Sequence, residues 1–117
     1  MPLSQLHSGT KLVDTTEWSL SADAAFAATA STNAGIYQLF LDVNDMVAGD
    51  TLQIRLYEKC RSGDTQRLIN EWILTGAQSS PGWVSDAFQL MHGWDFTLDC
   101  LAGTSITVLW SVRRVGA

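Results

Sequence analysis

The stretch SITVLWSVRR, residues 105–114, decides the fold. Its apolar side chains recur at every second position, namely Ile106, Val108, Trp110 and Val112. Successive side chains of a β-strand point to opposite faces of the sheet, so this alternation predicts a strand with one buried face. The stretch DTLQIRLYEKC, residues 50–60, repeats the pattern with Leu52, Ile54 and Leu56 on one face and Gln53, Arg55 and Lys59 on the other.

Five further segments carry a strand pattern. In residues 95–100 the apolar Phe96, Leu98 and Cys100 alternate with Asp95, Thr97 and Asp99, which are predicted to face solvent. Residues 36–43 are apolar on both sides, which predicts a central strand or one covered by a partner. Weaker patterns cover residues 11–20, 66–75 and 83–90.

Short turn sequences separate these strands. Residues 61–65 (RSGDT) and 101–104 (LAGT) lie at hairpin distance between strand patterns, so each is predicted to join two paired strands. Residues 44–49 begin with an N-capping side chain and end in glycine, which predicts one helical turn. The spacing predicts one all-β domain over residues 1–117, an antiparallel, jelly-roll-like sandwich or barrel of about seven to eight strands.

Two segments stand outside this pattern, and both are predicted to be arms or loops. They are residues 1–10 and 21–34. Residues 21–33 hold six alanines and one large apolar side chain, Phe26, so a helix there would have little face to bury. We favour an extended arm, which could reach a neighbouring subunit, over a helix.

Composition excludes several classes of protein. The 117 residues are 46% apolar and 16% charged, which is too apolar for disorder and sufficient for one core. Nucleic-acid binding relies on clustered positive charge, and this chain has a net charge of −5 with Arg113-Arg114 as its one basic pair. No apolar run approaches the ~18 residues of a membrane helix. The first residues lack the pattern of a secretion signal, which predicts cytoplasmic folding and reduced thiols.

Residue types that carry chemistry are isolated from one another. His7, Cys60, His92 and Cys100 lack the short paired spacings of zinc sites. His92 is the one reasonable general base, and no nucleophile motif accompanies it. Twelve acids would allow a glycosidase pair, but sequence does not give carboxylate separations. We therefore predict a protein that is not an enzyme and that has no metal or cofactor.

Five tryptophans are the other unusual feature. Trp18 and Trp110 fall on the same strand face as their apolar neighbours, which predicts that both lie in the core. Trp83 and Trp94 lie beside loop glycines, where rings are often partly exposed. A ring that combines an apolar face with a polar N–H suits either a protein interface or stacking on sugars, and we favour the interface.

Six motifs carry a family resemblance. They are Gly35-Ile36-Tyr37-Gln38 through Val43-Asn44, Gly49-Asp50, Leu56-Tyr57-Glu58-Lys59, Ser62-Gly63-Asp64-Thr65-Gln66-Arg67, Met91-His92-Gly93-Trp94-Asp95 and Trp110-Ser111-Val112-Arg113. As a set they resemble small virion proteins of tailed bacteriophages, of the capsid decoration or cement class. The resemblance covers residues 35–115 and includes no catalytic residue.

The resemblance implies a β-rich structural protein that is made in the bacterial cytoplasm and ends on the capsid surface of the virion. It also implies a homotrimer at capsid three-fold positions, which grips the major capsid protein with loops or N-terminal arms. The candidate interface residues are Trp94, Trp83, Arg61, Phe26 and Tyr37. The tryptophans keep an alternative open, a carbohydrate- or receptor-binding β-sandwich of a phage fibre or spike.

Overall fold

A computed structural model describes residues 3–26, 34–103 and 105–115. Regular structure in these ranges is entirely β-strand, so no helix among them could cross a membrane. The ten strands are β1 (Leu3–Val13), β2 (Trp18–Ser19), β3 (Ala24–Ala25), β4 (Gly35–Asp42), β5 (Thr51–Glu58), β6 (Arg67–Thr75), β7 (Gly82–Val84), β8 (Phe88–Leu90), β9 (Asp95–Ala102) and β10 (Ile106–Val115).

The strands form two antiparallel sheets of five. Sheet 1 has the order β1-β10-β4-β7, and β8 also pairs with β4. Sheet 2 has the order β3-β2-β9-β5-β6. The sheets pack against each other without closing into a barrel, which confirms the predicted antiparallel β-sandwich.

The core lies between the sheets, and it includes the alternating apolar side chains that predicted β5, β9 and β10. Leu52, Ile54 and Leu56 of β5 are fully buried, as is Leu98 of the neighbouring β9. Tyr37, Leu39 and Leu41 of β4 and alternate residues of β10 face them from sheet 1. Because each such side chain contributes about 1.5–3 kcal/mol when it leaves water, this interior is the main source of stability.

Residues 3–10 belong to a sheet and do not form a free arm, while residues 1 and 2 lie outside the described residues. Residues 3–13 make up β1, which pairs with β10 from Leu3↔Val115 to Val13↔Ile106. The inward side of β1 includes Gly9, where an added Cβ would lie 2.9 Å from the Trp110 ring. Glycine therefore allows β1 to pack closely on that ring, and its lack of a side chain weakens the alternation that would have revealed the strand.

Two predicted connections differ in the structure. Residues 61–65 join the paired strands β5 and β6 as predicted. The hairpin predicted over residues 101–104 is wrong, because β9, which ends at Ala102, lies in sheet 2, and β10, which begins at Ile106, lies in sheet 1. Residues 44–49 form two successive turns, with hydrogen bonds from the Met46 N–H to the Val43 carbonyl and from the Asp50 N–H to the Val47 carbonyl, and no helix. A short turn sequence indicates a reversal of direction, but it does not indicate which sheet the chain enters next.

The alanine-rich segment is described in part. Residues 21–26 form a turn and the short strand β3, whose Ala25 lies opposite Trp18 of β2. Residues 27–33 lie outside the described residues. The prediction of an extended arm over residues 21–34 therefore stays a prediction for its second half.

Candidate functional site

One end of the sandwich gathers several loops around shallow clefts. A cleft of about 500 Å³ is lined by Ala34, Gly35, Ile36, Glu58, Cys60, Gln89, Leu90, Met91 and His92. A second cleft of about 360 Å³ shares Ala34, Met91 and His92 and extends to the turn between β5 and β6. We call this surface, formed by residues 34–36, 58–66 and 89–93, the loop end. Four of the six resemblance motifs contribute to it.

Hydrogen bonds hold the loop after β8 in one conformation. The Glu58 carboxylate accepts from the N–H of Met91 at 2.7 Å and from that of His92 at 3.1 Å. The Lys59 N–H donates to the His92 carbonyl at 2.9 Å, and the Gln66 side-chain amide donates to the Gly93 carbonyl at 2.8 Å. A surface held this way loses little conformational entropy on binding, which favours affinity.

Gly93 suits this loop because of its backbone conformation. Its φ of +54° lies in the left-handed region, and an added Cβ would lie 2.9 Å from the Lys59 side chain. Other residues are strained in that conformation. The Gly93 position thus lets the chain turn tightly from the exposed Met91 into the buried Trp94.

The chemistry of the loop end suits binding. His92 is half-buried in the turn, with its backbone N–H and carbonyl engaged in holding the loop. Cys60 is an exposed thiol. Across residues 3–26, 34–103 and 105–115, His, Cys, Asp and Glu form no cluster of three or more that could hold a metal ion. The loop end is thus a surface held by hydrogen bonds, with an exposed thioether at Met91 and charges of both signs.

Two of the five predicted interface residues lie in the core. The Trp94 and Tyr37 side chains are both fully buried, with ring centroids 4.5 Å apart. Neither side chain is exposed for contact with another protein in this structure, which corrects their assignment to an interface. Trp94 lies two residues before Phe96 and four before Leu98, so the period-two pattern puts all three on one buried face. This pattern is a stronger indication of burial than the adjacent loop glycine is of exposure.

The other three predicted residues lie apart from one another. Arg61 is at the loop end, exposed, and paired with Asp64 at 3.0 Å. Trp83 of β7 is half-buried at the sheet edge, 5.4 Å from Trp72. Phe26 stacks on Tyr57 with centroids 4.8 Å apart. The structure therefore does not bring the five predicted residues together into one site.

Sequence reasoning missed a buried polar face on sheet 2. Asp95 and Thr97 are fully buried and Asp99 nearly so, although all three were predicted to face solvent. The Asp95 carboxylate accepts from the Ser19 hydroxyl at 2.6 Å and from the Ser21 hydroxyl at 2.8 Å. The cover comes from residues more than 70 positions away, so no pattern within β9 could have indicated it.

A single carboxylate organises the middle of this polar face. Glu17 accepts hydrogen bonds from the Tyr57 hydroxyl at 2.7 Å and from the Thr97 hydroxyl at 2.5 Å, and it lies 3.7 Å from Arg55. Burial is the largest cause that raises the pKa of Tyr57 to about 12, and its bond to Glu17 adds to the effect. Together these contacts tie residues 17–21 to sheet 2, so the network supports the fold.

The two cysteines lie far apart, which leads to a testable prediction. Cys100 is buried opposite Leu52, while Cys60 is exposed, eight residues beyond Leu52 or roughly 25 Å along the strand direction. A disulfide needs Cα atoms within about 7 Å. We expect a thiol reagent to modify one cysteine in the native protein and two after unfolding without reductant. Finding no reactive thiol after unfolding would contradict both the sequence prediction and this geometry.

Comparison with known proteins does not assign the chain to a family. No protein-family model matches it, and no curated protein is significantly similar to it.

Proposed function

We propose that this chain is a capsid decoration protein of a tailed bacteriophage, which binds the major capsid protein through its loop end and stabilises the head. The observation that supports this proposal is the convergence of four resemblance motifs on one surface. The motifs in residues 35–38, 56–59, 62–67 and 91–95 are dispersed in the sequence, and part of each meets at the loop end. The motif residues that line its two clefts are Gly35, Ile36, Glu58, Lys59, Ser62, Gly63, Met91, His92 and Gly93. A shared binding surface accounts for motifs whose resemblance includes no catalytic residue.

The architecture suits a cement protein mechanically. A partner that grips a pressurised shell needs a surface that keeps its shape under load, and the backbone bonds to Glu58 and Gln66 supply this at the loop end. The protein would be made in the host cytoplasm and act on the virion surface. The homotrimer at three-fold positions is implied by the resemblance alone.

Sedimentation with emptied heads of the phage that encodes the chain tests the proposal. We expect the protein to co-sediment in a fixed ratio to the major capsid protein. Met91→Glu should weaken this binding at least about tenfold, because a charge would be placed at the centre of the contact. Val47→Glu is the matched control: Met91 is 54% exposed and Val47 55%, but Val47 lies at the opposite end of the sandwich.

Two outcomes would contradict the proposal. Heads that fail to bind the wild-type protein at any concentration would rule out decoration. Equal binding by Met91→Glu and Val47→Glu would rule out the loop end as the contact surface.

One observation favours the carbohydrate-binding alternative. Trp72, Trp83 and Phe88 are partly exposed together where β6 meets β7 and β8, with Trp72 5.9 Å from Phe88. Partly exposed rings of this kind can stack on sugars. Retention of the protein on a glycan array, lost in Trp83→Ala, would support this second function in place of decoration.

A further inference from the structure

The outer face of sheet 1 carries several exposed apolar side chains. Five of the eleven exposed large apolar side chains among the described residues lie on it, namely Leu3, Leu12, Ile36, Val84 and Leu109. Phe40 lies half-buried at its centre, covered by the Arg113 guanidinium at 3.8 Å from the ring centroid. Polar side chains such as Ser8, Thr10 and Ser111 lie between these apolar ones. Exposed apolar side chains gathered on one face of a sheet are typical of interaction sites.

The same face carries almost no charge. Asp42 on β4 and Arg113 on β10 are the only charged residues that the described strands of sheet 1 direct to this side. The two charges on these strands balance each other, with the Asp45 carboxylate at the edge bound to the Thr107 N–H, while the chain as a whole has a net charge of −5. Two copies would repel each other at most other surfaces, so this face is where electrostatics opposes their approach least.

The register of the strands makes the face complementary to itself. We call outward-facing residues that lie side by side across the strands a row. Ser111 and Phe40 form the central row. The next row on one side contains Leu109 and Asp42, and the next row on the other side contains Arg113 and Gln38. A two-fold axis perpendicular to the strands through the central row places the Asp42 row of one copy over the Arg113 row of the second copy. Asp42 of one copy then lies over Gln38 of the second copy and one strand, about 4.8 Å, to the side of its Arg113, so opposite charges approach each other across the interface.

The corners of the face also match under this rotation. Leu12 lies beside Thr107 beyond the Asp42 row, and Leu3 lies beside Val115 beyond the Arg113 row. The two-fold axis brings Leu12 of one copy over Leu3 of the other, so exposed apolar side chains cover each other. The Phe40 side chains of the two copies, each with the Arg113 guanidinium of its own chain against the ring, lie near the axis.

The available area is large enough for a stable pair. Four strands spaced at about 4.8 Å, over a length of about 30 Å, give a footprint of roughly 600 Å² on each copy. The total of roughly 1,200 Å² reaches the lower range of stable protein interfaces.

We infer that the outer face of sheet 1 binds a second copy of this chain in an antiparallel, two-fold pair, held by Phe40 and the exposed leucines and oriented by Asp42 and Arg113. This pair goes beyond the proposed function and does not depend on it. It also differs from the homotrimer that the resemblance implies.

Sedimentation equilibrium of the purified protein tests the inference. We expect a species of twice the 12.8 kDa chain mass at tens of micromolar. Leu109→Glu should raise its dissociation constant at least about tenfold, since the change occurs twice in a two-fold interface. Ile73→Glu on the outer side of β6 is the control: Leu109 is 47% exposed and Ile73 52%, so the control introduces the same charge at similar exposure and should leave the pair intact.

A charge exchange separates orientation from general damage to the surface. Asp42→Arg alone and Arg113→Asp alone should each weaken the pair, because each places like charges together. The double variant Asp42→Arg/Arg113→Asp should regain most of the lost affinity. A role confined to the fold of one chain would not produce this recovery.

Several results would overturn the inference. A monomer or a trimer at these concentrations would contradict the two-fold pair. A pair that Leu109→Glu leaves unchanged would place the interface elsewhere. If the protein is monomeric and Leu109→Glu abolishes binding to heads, then the face contacts the capsid and not a second copy, and the capsid proposal survives without the pair.

Discussion

Trp94→Ala should destabilise the protein by about 3–5 kcal/mol, the usual cost of removing a large aromatic side chain from a core. Trp94 is fully buried between the sheets, and its ring lies 4.5 Å from that of Tyr37 and 6.0 Å from that of Phe96. Domains of this size have total stabilities of about 5–15 kcal/mol, so the loss is a large fraction of the whole. Urea unfolding followed by circular dichroism measures it.

Two further variants keep this prediction testable if Trp94→Ala does not fold. Trp94→Phe retains an aromatic ring in the same cavity and should cost less than the alanine change. Trp83→Ala removes the same side chain from a half-buried position, so its cost should not exceed about 2 kcal/mol. If Trp94→Ala and Trp83→Ala were equally stable, and Trp94→Ala alone lost binding to heads, then Trp94 would be a partner contact and the packing described above would be wrong.

The sandwich could be predicted because the interior faces of its main strands alternate clearly. In β5 and β10 the positions that face the other sheet, such as Leu52, Ile54 and Val108, are apolar and most intervening positions are polar, so period-two patterning was sufficient. In β1 it was not. The inward side of that strand contains Gly9 and Lys11, whose ammonium lies 3.8 Å from the centre of the Trp18 ring. These two residues pack against side chains of other strands. The hydrophobicity pattern of β1 alone therefore does not indicate that they face inward.

The loop end could be predicted in its parts but not as a surface. The glycines of residues 63 and 93 marked two turns, and both adopt positive φ. That these turns lie side by side depends on the register of β5 with β9, which pairs Tyr57 with Asp95. Turn sequences report the local bend of the chain, whereas the meeting of two turns is decided by pairing over tens of residues. For the same reason Trp94 was assigned to a loop surface.

Lowering the pH from 7 to about 4 should stabilise the wild-type protein through Asp95. Burial raises the pKa of Asp95 to about 6 from its ordinary value of 3.8, although hydrogen bonds from Ser19 and Ser21 lower it. Above pH 6 the native state carries a buried ionised carboxylate, and below that the native state takes up a proton more readily than the unfolded chain. The stability gain develops as pH falls from about 6 to about 4, and it amounts to about 3 kcal/mol. Urea midpoints measured across this range report it.

Comparison with Asp95→Asn isolates this contribution. The amide has a similar shape and does not ionise, so the variant should lose most of the acid stabilisation, whereas Asp86→Asn, which removes an exposed carboxylate, should retain it.

Two other buried groups also change the stability of the wild-type protein with pH. Burial also raises the pKa of Asp99, which adds to the gain, and burial lowers the pKa of His7, which opposes the gain as pH falls below its ordinary value of 6.5. If the wild type and Asp95→Asn have parallel pH profiles, then Asp95 is not held as a buried carboxylate between Ser19 and Ser21.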